Sequence, residues 1–259
     1  MLNSSQIEAI AEDLFQQHER RTIFKSIPDR IPTVDDAHDV QDAYVAKLLK
    51  KYGTTVGGYK IALTSKQTRD WLKIHEPAAG QVLATRIYQS PHTEKASAYV
   101  RFSVETEVCV ILDKDMSGPT TVDAVRANLR SVHCAYELVE DRGADLTKID
   151  AVSLASDNAW NNGIVIGPPG PLDLDLTNRK GRLKVDGKVT QEGTTAETMS
   201  GNPLDAVVWL SAHLGKRGGK IKAGQPIITG SIVQSQFIAP GHTLEFALDG
   251  MPPVILHLV

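Results

Sequence analysis

Two glutamates, Glu105 and Glu107, stand in the middle of an apolar, alternating run, Tyr99-Val100-Arg101-Phe102-Ser103-Val104-Glu105-Thr106-Glu107-Val108-Cys109-Val110-Ile111-Leu112. Successive strand side chains point to opposite faces, so glutamates spaced i, i+2 share one face. The opposite face carries Val100, Phe102, Val104, Val108, Val110 and Leu112 and reads as core-facing. Two adjacent carboxylates on a largely buried strand repel each other and lose hydration, and a cation or a shared proton relieves both penalties. Taken alone, an E-x-E pair fits a solvated strand face equally well. The rest of the chain decides between the two.

With 259 residues the chain can bury a full core, as one large domain or a domain with an appendage. A formal net charge of -3, with no Lys/Arg cluster interleaved with aromatics, argues against nucleic-acid binding. No apolar stretch approaches the roughly 20 residues a membrane-spanning helix needs. The first 21 residues contain Glu8, Glu12, Asp13 and Glu19, unlike a secretory signal or transit peptide. Cys109 and Cys134 read as buried free thiols rather than a disulfide or metal motif, which makes the cytoplasm the expected location.

The first third reads as helical. Ser5-Gln6-Ile7-Glu8 has a capping-box pattern ahead of Ile7, Ile10, Ala11, Leu14 and Phe15 at helical spacing. A second helix is expected from near Thr33 to Gly53, with Ala37, Val40, Tyr44 and Leu48 on one face. A short strand over 57–63 leads to Thr64-Ser65, which caps a helix over 66–72, and His75-Glu76-Pro77-Ala78-Ala79-Gly80 reads as a loop. From Tyr88 onward strands dominate, interrupted by helices near 121–130 and 202–214, the latter opened by Asn202-Pro203. Asp186-Gly187 and Asp249-Gly250 each signal a hairpin. These patterns predict an α+β chain with an N-terminal helical region, 1–80, docked on a mostly β body, 81–259.

Hard divalent cations such as Mg²⁺ and Mn²⁺ take oxygen ligands, often two or three carboxylates. Glu137 is a third candidate, because it lies inside the apolar part of Val132-His133-Cys134-Ala135-Tyr136-Glu137-Leu138-Val139 and acids are rarely buried without a partner. Glu140, Asp141 and Arg142 follow at the polar edge, where a solvated strand end is the plain alternative and the one favoured for Asp141. Lys60 interrupts the strand Gly57-Gly58-Tyr59-Lys60-Ile61-Ala62-Leu63. Such a lysine either snorkels outward or faces a pocket and pairs with an anion. Ser156-Asp157-Asn158-Ala159-Trp160-Asn161-Asn162-Gly163 and Thr229-Gly230-Ser231 place short polar side chains at strand ends, where a turn is the simplest account.

Taken together, these segments resemble the fumarylacetoacetate hydrolase superfamily, and within it the 2-hydroxypenta-2,4-dienoate (2-keto-4-pentenoate) hydratases and 4-oxalocrotonate decarboxylases of aromatic meta-cleavage pathways. The resemblance runs through Gly58-Tyr59-Lys60-Ile61-Ala62-Leu63-Thr64-Ser65, Val104-Glu105-Thr106-Glu107, Tyr136-Glu137-Leu138-Val139-Glu140-Asp141-Arg142 and Ser156-Asp157-Asn158-Ala159. It continues through Gly201-Asn202-Pro203-Leu204, the stretch from Ala223 to Ser231 and Pro240-Gly241-His242. It implies a mixed β-roll with an N-terminal helical region, and Mg²⁺ or Mn²⁺ held by Glu105, Glu107 and Glu137. Lys60 corresponds to the family's strand lysine, and Ser156, Asn158 and Ser231 become candidate hydrogen-bond donors to a small 2-oxo or 2-hydroxy acid. A homo-oligomer is implied too, and association with a paralogous hydratase or decarboxylase is compatible with it.

One departure bears on the reaction. The hydratases usually show Asp-x-Pro-Asp-aromatic-Gly where this chain has His75-Glu76-Pro77-Ala78-Ala79-Gly80, so an acid/base aspartate is replaced by Ala78. Either His75 or Glu76 takes over its role, or the reaction is not the standard hydration. The implied activity is hydration of a 2-hydroxy-2,4-dienoate or 2-oxo-alkenoate to a 4-hydroxy-2-oxo acid. The alternatives are a decarboxylase of the 4-oxalocrotonate type, a carbon–carbon hydrolase on the same scaffold, and a metal-free scaffold subunit.

Overall fold

The N-terminal helices begin and end where side chains or left-handed residues satisfy free backbone groups. In a computed structural model describing residues 1–259, α1 (Ser4–Glu19) is capped by Asn3, which exchanges reciprocal hydrogen bonds with Gln6. The capping box therefore sits two residues ahead of the expected Ser5. Thr33 caps α2 (Val34–Tyr52) by accepting from the Asp36 N–H, and Gly53 closes it at φ 59°. Ile10, Ala11 and Leu14 of α1 and Ala37, Val40, Tyr44 and Leu48 of α2 share one apolar cluster with Ala78, Leu83 and Ala155.

The strands and short helices follow as β1 (Val56–Ala62), α3 (Lys66–Leu72), β2 (Ala78–Leu83), β3 (Ile87–Gln89), β4 (His92–Glu94), β5 (Phe102–Leu112), α4 (Val122–Ala127), β6 (Leu129–Glu140) and α5 (Ala151–Ser156). Beyond them lie β7 (Asn161–Pro169), β8 (Lys180–Val185), β9 (Lys188–Thr194), α6 (Pro203–Lys216), β10 (Pro226–Ile228), β11 (Thr243–Leu248) and β12 (Val254–Leu258). They form two mixed sheets, one in the order β2-β1-β10-β5-β6-β7-β3 and one in the order β4-β12-β11-β8-β9. The α+β expectation holds at this level. No helix is long and apolar enough to cross a membrane.

Three expectations shift. Ala78-Ala79-Gly80 belong to β2, paired with β1, rather than to a loop. The division at residue 80 therefore cuts a strand, and β1, from the first 80 residues, lies inside the larger sheet. The helix expected near 121–130 ends at Ala127, where β6 takes over within two residues. Both hairpins form. Asp186 and Gly187 adopt φ 48° and 78°, the pair of left-handed values a two-residue turn between β8 and β9 requires.

β5 is buried on both faces. Val104, Val108, Val110 and Leu112 pack with Val132, Cys134, Tyr136 and Leu138 of β6 against Leu183, Leu244, Phe246 and Leu256 of the second sheet and Leu204, Val207 and Leu210 of α6. On the opposite face the large sheet curls until β2 meets β7. Val82, Cys109, Ala135, Ile164, Ile166 and Ile228 fill the concave interior. Glu105, Glu107 and Lys60 project from that same concave side, because Lys60 pairs with Ile228 and Ile228 with Cys109.

Candidate metal centre

Register brings the acids together. β5 and β6 pair with Glu105 directly opposite Glu137 and with Glu107 one pleat along on the same face. One carboxylate oxygen from each of the three lies within 4.8 Å of the others. Lys60 reaches them from two strands away, its Nζ 3.0 Å from Glu137 Oε1 and 3.2 Å from Oε2. It lies across Gly80, where a Cβ would come within 2.9 Å of Lys60 Cγ. The inward alternative for Lys60 is the one the fold adopts, since the side chain is fully enclosed.

Besides Lys60 on Glu137, each carboxylate has a donor from another segment of the chain. The Gly230 N–H donates to Glu107 Oε2 at 2.6 Å, Asn161 Nδ2 donates to Glu137 Oε1 at 2.8 Å, and Ser235 Oγ donates to Glu105 Oε1. Gly230 is irreplaceable in this role: its φ is 108°, and a Cβ would lie 2.2 Å from Thr64 Oγ1. Glu107 Oε1 is buried with no hydrogen-bond partner.

Burial, then the neighbouring Glu137 and Glu105, push the Glu107 carboxyl well above the usual carboxylate range. Burial raises Glu137 as well, with Lys60 opposing it. Burial works to lower Lys60, but the surrounding glutamates outweigh it and hold the ammonium above its ordinary value. Two enclosed carboxylates, Glu107 and Glu137, and the half-buried Glu105 facing one ammonium leave excess negative charge. Without a cation, burial and the neighbouring carboxylates favour a proton on Glu107. A hard divalent cation fits this donor set, since it takes carboxylate oxygens and would engage the unpartnered Glu107 Oε1.

The other candidates have different settings. Asn158 is buried and spends both ends of its amide on β2, accepting from the Gln81 N–H at 2.7 Å and donating to its carbonyl at 2.8 Å. Ser156 Oγ donates to the Ser153 carbonyl at 2.9 Å, and Ser231 Oγ to the Val233 carbonyl at 2.6 Å. All three hydroxyl or amide donors are thus engaged within the protein. His75 and Glu76 are exposed ahead of β2 and make no hydrogen bond to the acids. The solvated strand end is a misreading. Asp141 is buried and receives Arg101 Nε at 2.7 and 2.9 Å, while Arg142 is enclosed 2.9 Å from Asp157. Those partners lie far away in sequence, which hides the pairing from a local pattern.

Residues 78–259 match the family model described as fumarylacetoacetate (FAA) hydrolase C-terminal. The chain belongs to the fumarylacetoacetate hydrolase family. Among curated relatives of this family member, a 2-hydroxyhexa-2,4-dienoate hydratase of Comamonas testosteroni is 29% identical over 95% of this chain and 94% of its own. A 2-keto-4-pentenoate hydratase of Paraburkholderia xenovorans (strain LB400) is 29% identical over 98% of this chain and 95% of its own. A solved structure of 4-oxalocrotonate decarboxylase from Pseudomonas putida G7, complexed with magnesium and adipate, superposes with a TM-score of 0.91 at 25% identity, covering 100% of this chain and 99% of that one.

Two contributors to the family member's site, Asn161 and Ser235, escape sequence reading. Both look like turn residues, and only the long-range register of β6 with β7 and the path of the chain after β10 carry them to the glutamates.

Proposed function

We propose that this chain is a divalent-metal-dependent hydratase that adds water to a 2-hydroxy-2,4-dienoate or its 2-oxo-alkenoate tautomer, giving a 4-hydroxy-2-oxo acid. The observation that carries the reading is the cluster of half-buried Glu105 with buried Glu107 and Glu137, with an unpartnered carboxylate oxygen and Lys60 beside it. Near-full-length similarity to proteins named as hydratases supports the substrate class. Mg²⁺ or Mn²⁺ suits a site of three carboxylates with room for substrate oxygens. Such a cation, when bound, polarises the carboxylate and adjacent oxygen of a 2-oxo acid as a Lewis acid.

The chain's own residues then divide the remaining work. Lys60, kept charged by the glutamates, holds developing negative charge on the substrate oxygen and can hand over a proton there. The apolar floor of Val82, Ile164, Ile166 and Ile228 keeps bulk water from beneath the reacting carbons. Ser156, Asn158 and Ser231 act on this reading by shaping the walls through their backbone bonds. His75 or Glu76, exposed just ahead of β2, is the residue we assign to handling the added water in place of the aspartate that Ala78 replaces. The two sheets are read as a mixed β-roll with the helices of the first third packed on it, and the working form as a cytoplasmic homo-oligomer, which light scattering on the purified protein checks.

Ala78 favours a second reading. It is fully enclosed and packs with α2, so no acid stands at that position. A decarboxylase of the 4-oxalocrotonate type needs the same electron sink but no water-activating acid. Incubation with 2-hydroxypenta-2,4-dienoate and with 4-oxalocrotonate, in Mg²⁺ or Mn²⁺ and in EDTA, separates the two. The hydratase reading expects metal-dependent loss of dienoate absorbance without CO₂, and the decarboxylase reading expects CO₂ from 4-oxalocrotonate. If neither compound is consumed with metal present, both readings fail.

A further inference from the structure

Three successive non-glycine residues, Asn158, Ala159 and Trp160, have positive φ, at 54°, 46° and 60°. Left-handed backbone costs an L-residue on the order of 1–2 kcal/mol, and it persists only where the surroundings enforce it. The surroundings here are specific. Asn158 is stitched to both backbone groups of Gln81 on β2, beside the Gly80 over which Lys60 lies. Asp157, immediately before the turn, is locked into the enclosed ion pair with Arg142 of the β6 end. The turn reverses the chain into β7, and the first residue of β7 is Asn161, whose amide meets Glu137 Oε1 at 2.8 Å.

We propose that Asn161 is a positioning residue of the metal centre, holding Glu137 so that it offers a cation a single oxygen, and that the left-handed turn Asn158–Trp160 serves to present it. The inference rests on the reading of the three glutamates as a metal site. Glu137 Oε1 takes Asn161 at 2.8 Å and Lys60 at 3.0 Å, whereas Oε2 has only the longer 3.2 Å bond from Lys60, so Oε2 is the oxygen Glu137 would offer a cation, just as Ser235 engages one oxygen of Glu105 and the Gly230 N–H one of Glu107. One-oxygen carboxylates favour small cations that demand regular octahedra. Ca²⁺ tolerates two-oxygen carboxylates and higher coordination numbers. Asn161 thereby bears on which cation the site prefers as well as on how tightly it binds.

Removing such an outer partner typically lowers metal affinity on the order of 10-fold. The test titrates the full chain with Mn²⁺, reading free Mn²⁺ by electron paramagnetic resonance, and then competes it with Ca²⁺. Wild type is compared with Asn161→Ala and with Asn161→Leu, which keeps the volume and removes the donor. The expected result is a loss of Mn²⁺ affinity of about 10-fold in both variants, with a smaller loss for Ca²⁺, so that the preference for Mn²⁺ narrows. Wild-type affinity in the leucine variant, or an unchanged Mn²⁺/Ca²⁺ ratio in both, overturns the positioning role and leaves Asn161 as packing. If wild type itself binds no Mn²⁺, the metal-site reading fails first, and the inference falls with it.

Discussion

Replacing Lys60 by methionine keeps most of the side chain's bulk and removes the one ammonium that faces Glu105, Glu107 and Glu137. In the metal-free protein this leaves Glu137, fully enclosed, with Asn161 as its remaining donor. Breaking an enclosed ion pair from one side costs about 3–5 kcal/mol. At roughly 2–4 °C per kcal/mol for a chain approaching this size, melting in EDTA should fall by about 10 °C. The sign with pH is fixed by the direction of the Glu137 shift. Its carboxyl is raised above the ordinary 4.5 even with Lys60 present. The stability it contributes is therefore fully present below that ordinary value and is lost as pH rises through the folded one. Without Lys60 the folded value climbs further, so the deficit of Lys60→Met relative to wild type should widen from acid towards neutral pH. Saturating Mn²⁺ supplies the missing positive charge and should shrink it. Scanning calorimetry between pH 5 and 8, in EDTA and in Mn²⁺, measures all of this. A deficit of equal size in both media and at every pH would refute the argument that Lys60 is there to balance the carboxylates.

Glu107→Gln should raise the melting temperature in EDTA, because it removes an enclosed acid that burial already disfavours as a charge, and should abolish the Mn²⁺-linked shift seen with wild type in the same scans. Apparent Mn²⁺ affinity in wild type should increase with pH up to the raised value of Glu107, since a bound carboxylate must give up its proton; isothermal titration at several pH values, with proton release measured by changing the buffer, checks it. Gly230→Ala should weaken Mn²⁺ binding, as the added Cβ collides with Thr64 and drags the N–H away from Glu107; crystals of the variant would show the shift. Arg142→Ala strands the enclosed Asp157 and should cost about 3–5 kcal/mol in urea denaturation, a change in stability that Mn²⁺ does not rescue.

The carboxylate pair was legible because a strand's period of two is rigid, and Glu137 because an acid within an apolar run needs an explanation. Helix limits were legible wherever a cap is local, as at Thr33 and Gly53. What local pattern cannot supply is pairing across the chain. Asp141 looked solvated because Arg101, which neutralises it, lies 40 residues away in sequence, and nothing near Arg142 announced its pairing with Asp157. Asn158 looked like a free donor because its two bonds go to the backbone of β2. Ala78-Ala79-Gly80 lacked any β-branched residue, and only tertiary pairing with β1 makes them a strand. Whether Lys60 faced in or out was likewise decided by the room left at Gly80.

The position of β1 has a consequence for how the molecule is made. Its residues are synthesised early, yet the strand sits in an interior slot of the sheet, with Tyr59 and Lys60 in parallel register against Ile227 and Ile228 near the far end of the chain. Until β10 emerges, the edge of β1 that it covers has no partner, the kind of exposed ladder that recruits foreign strands. Pairing over such a sequence distance is slow. Lys60 can meet Glu137 only after that slot closes, so the charge-balanced centre is completed among the last steps of folding. A divalent cation in the refolding medium should therefore capture the finished sheet rather than seed it, raising the yield of native protein while leaving the early collapse unchanged.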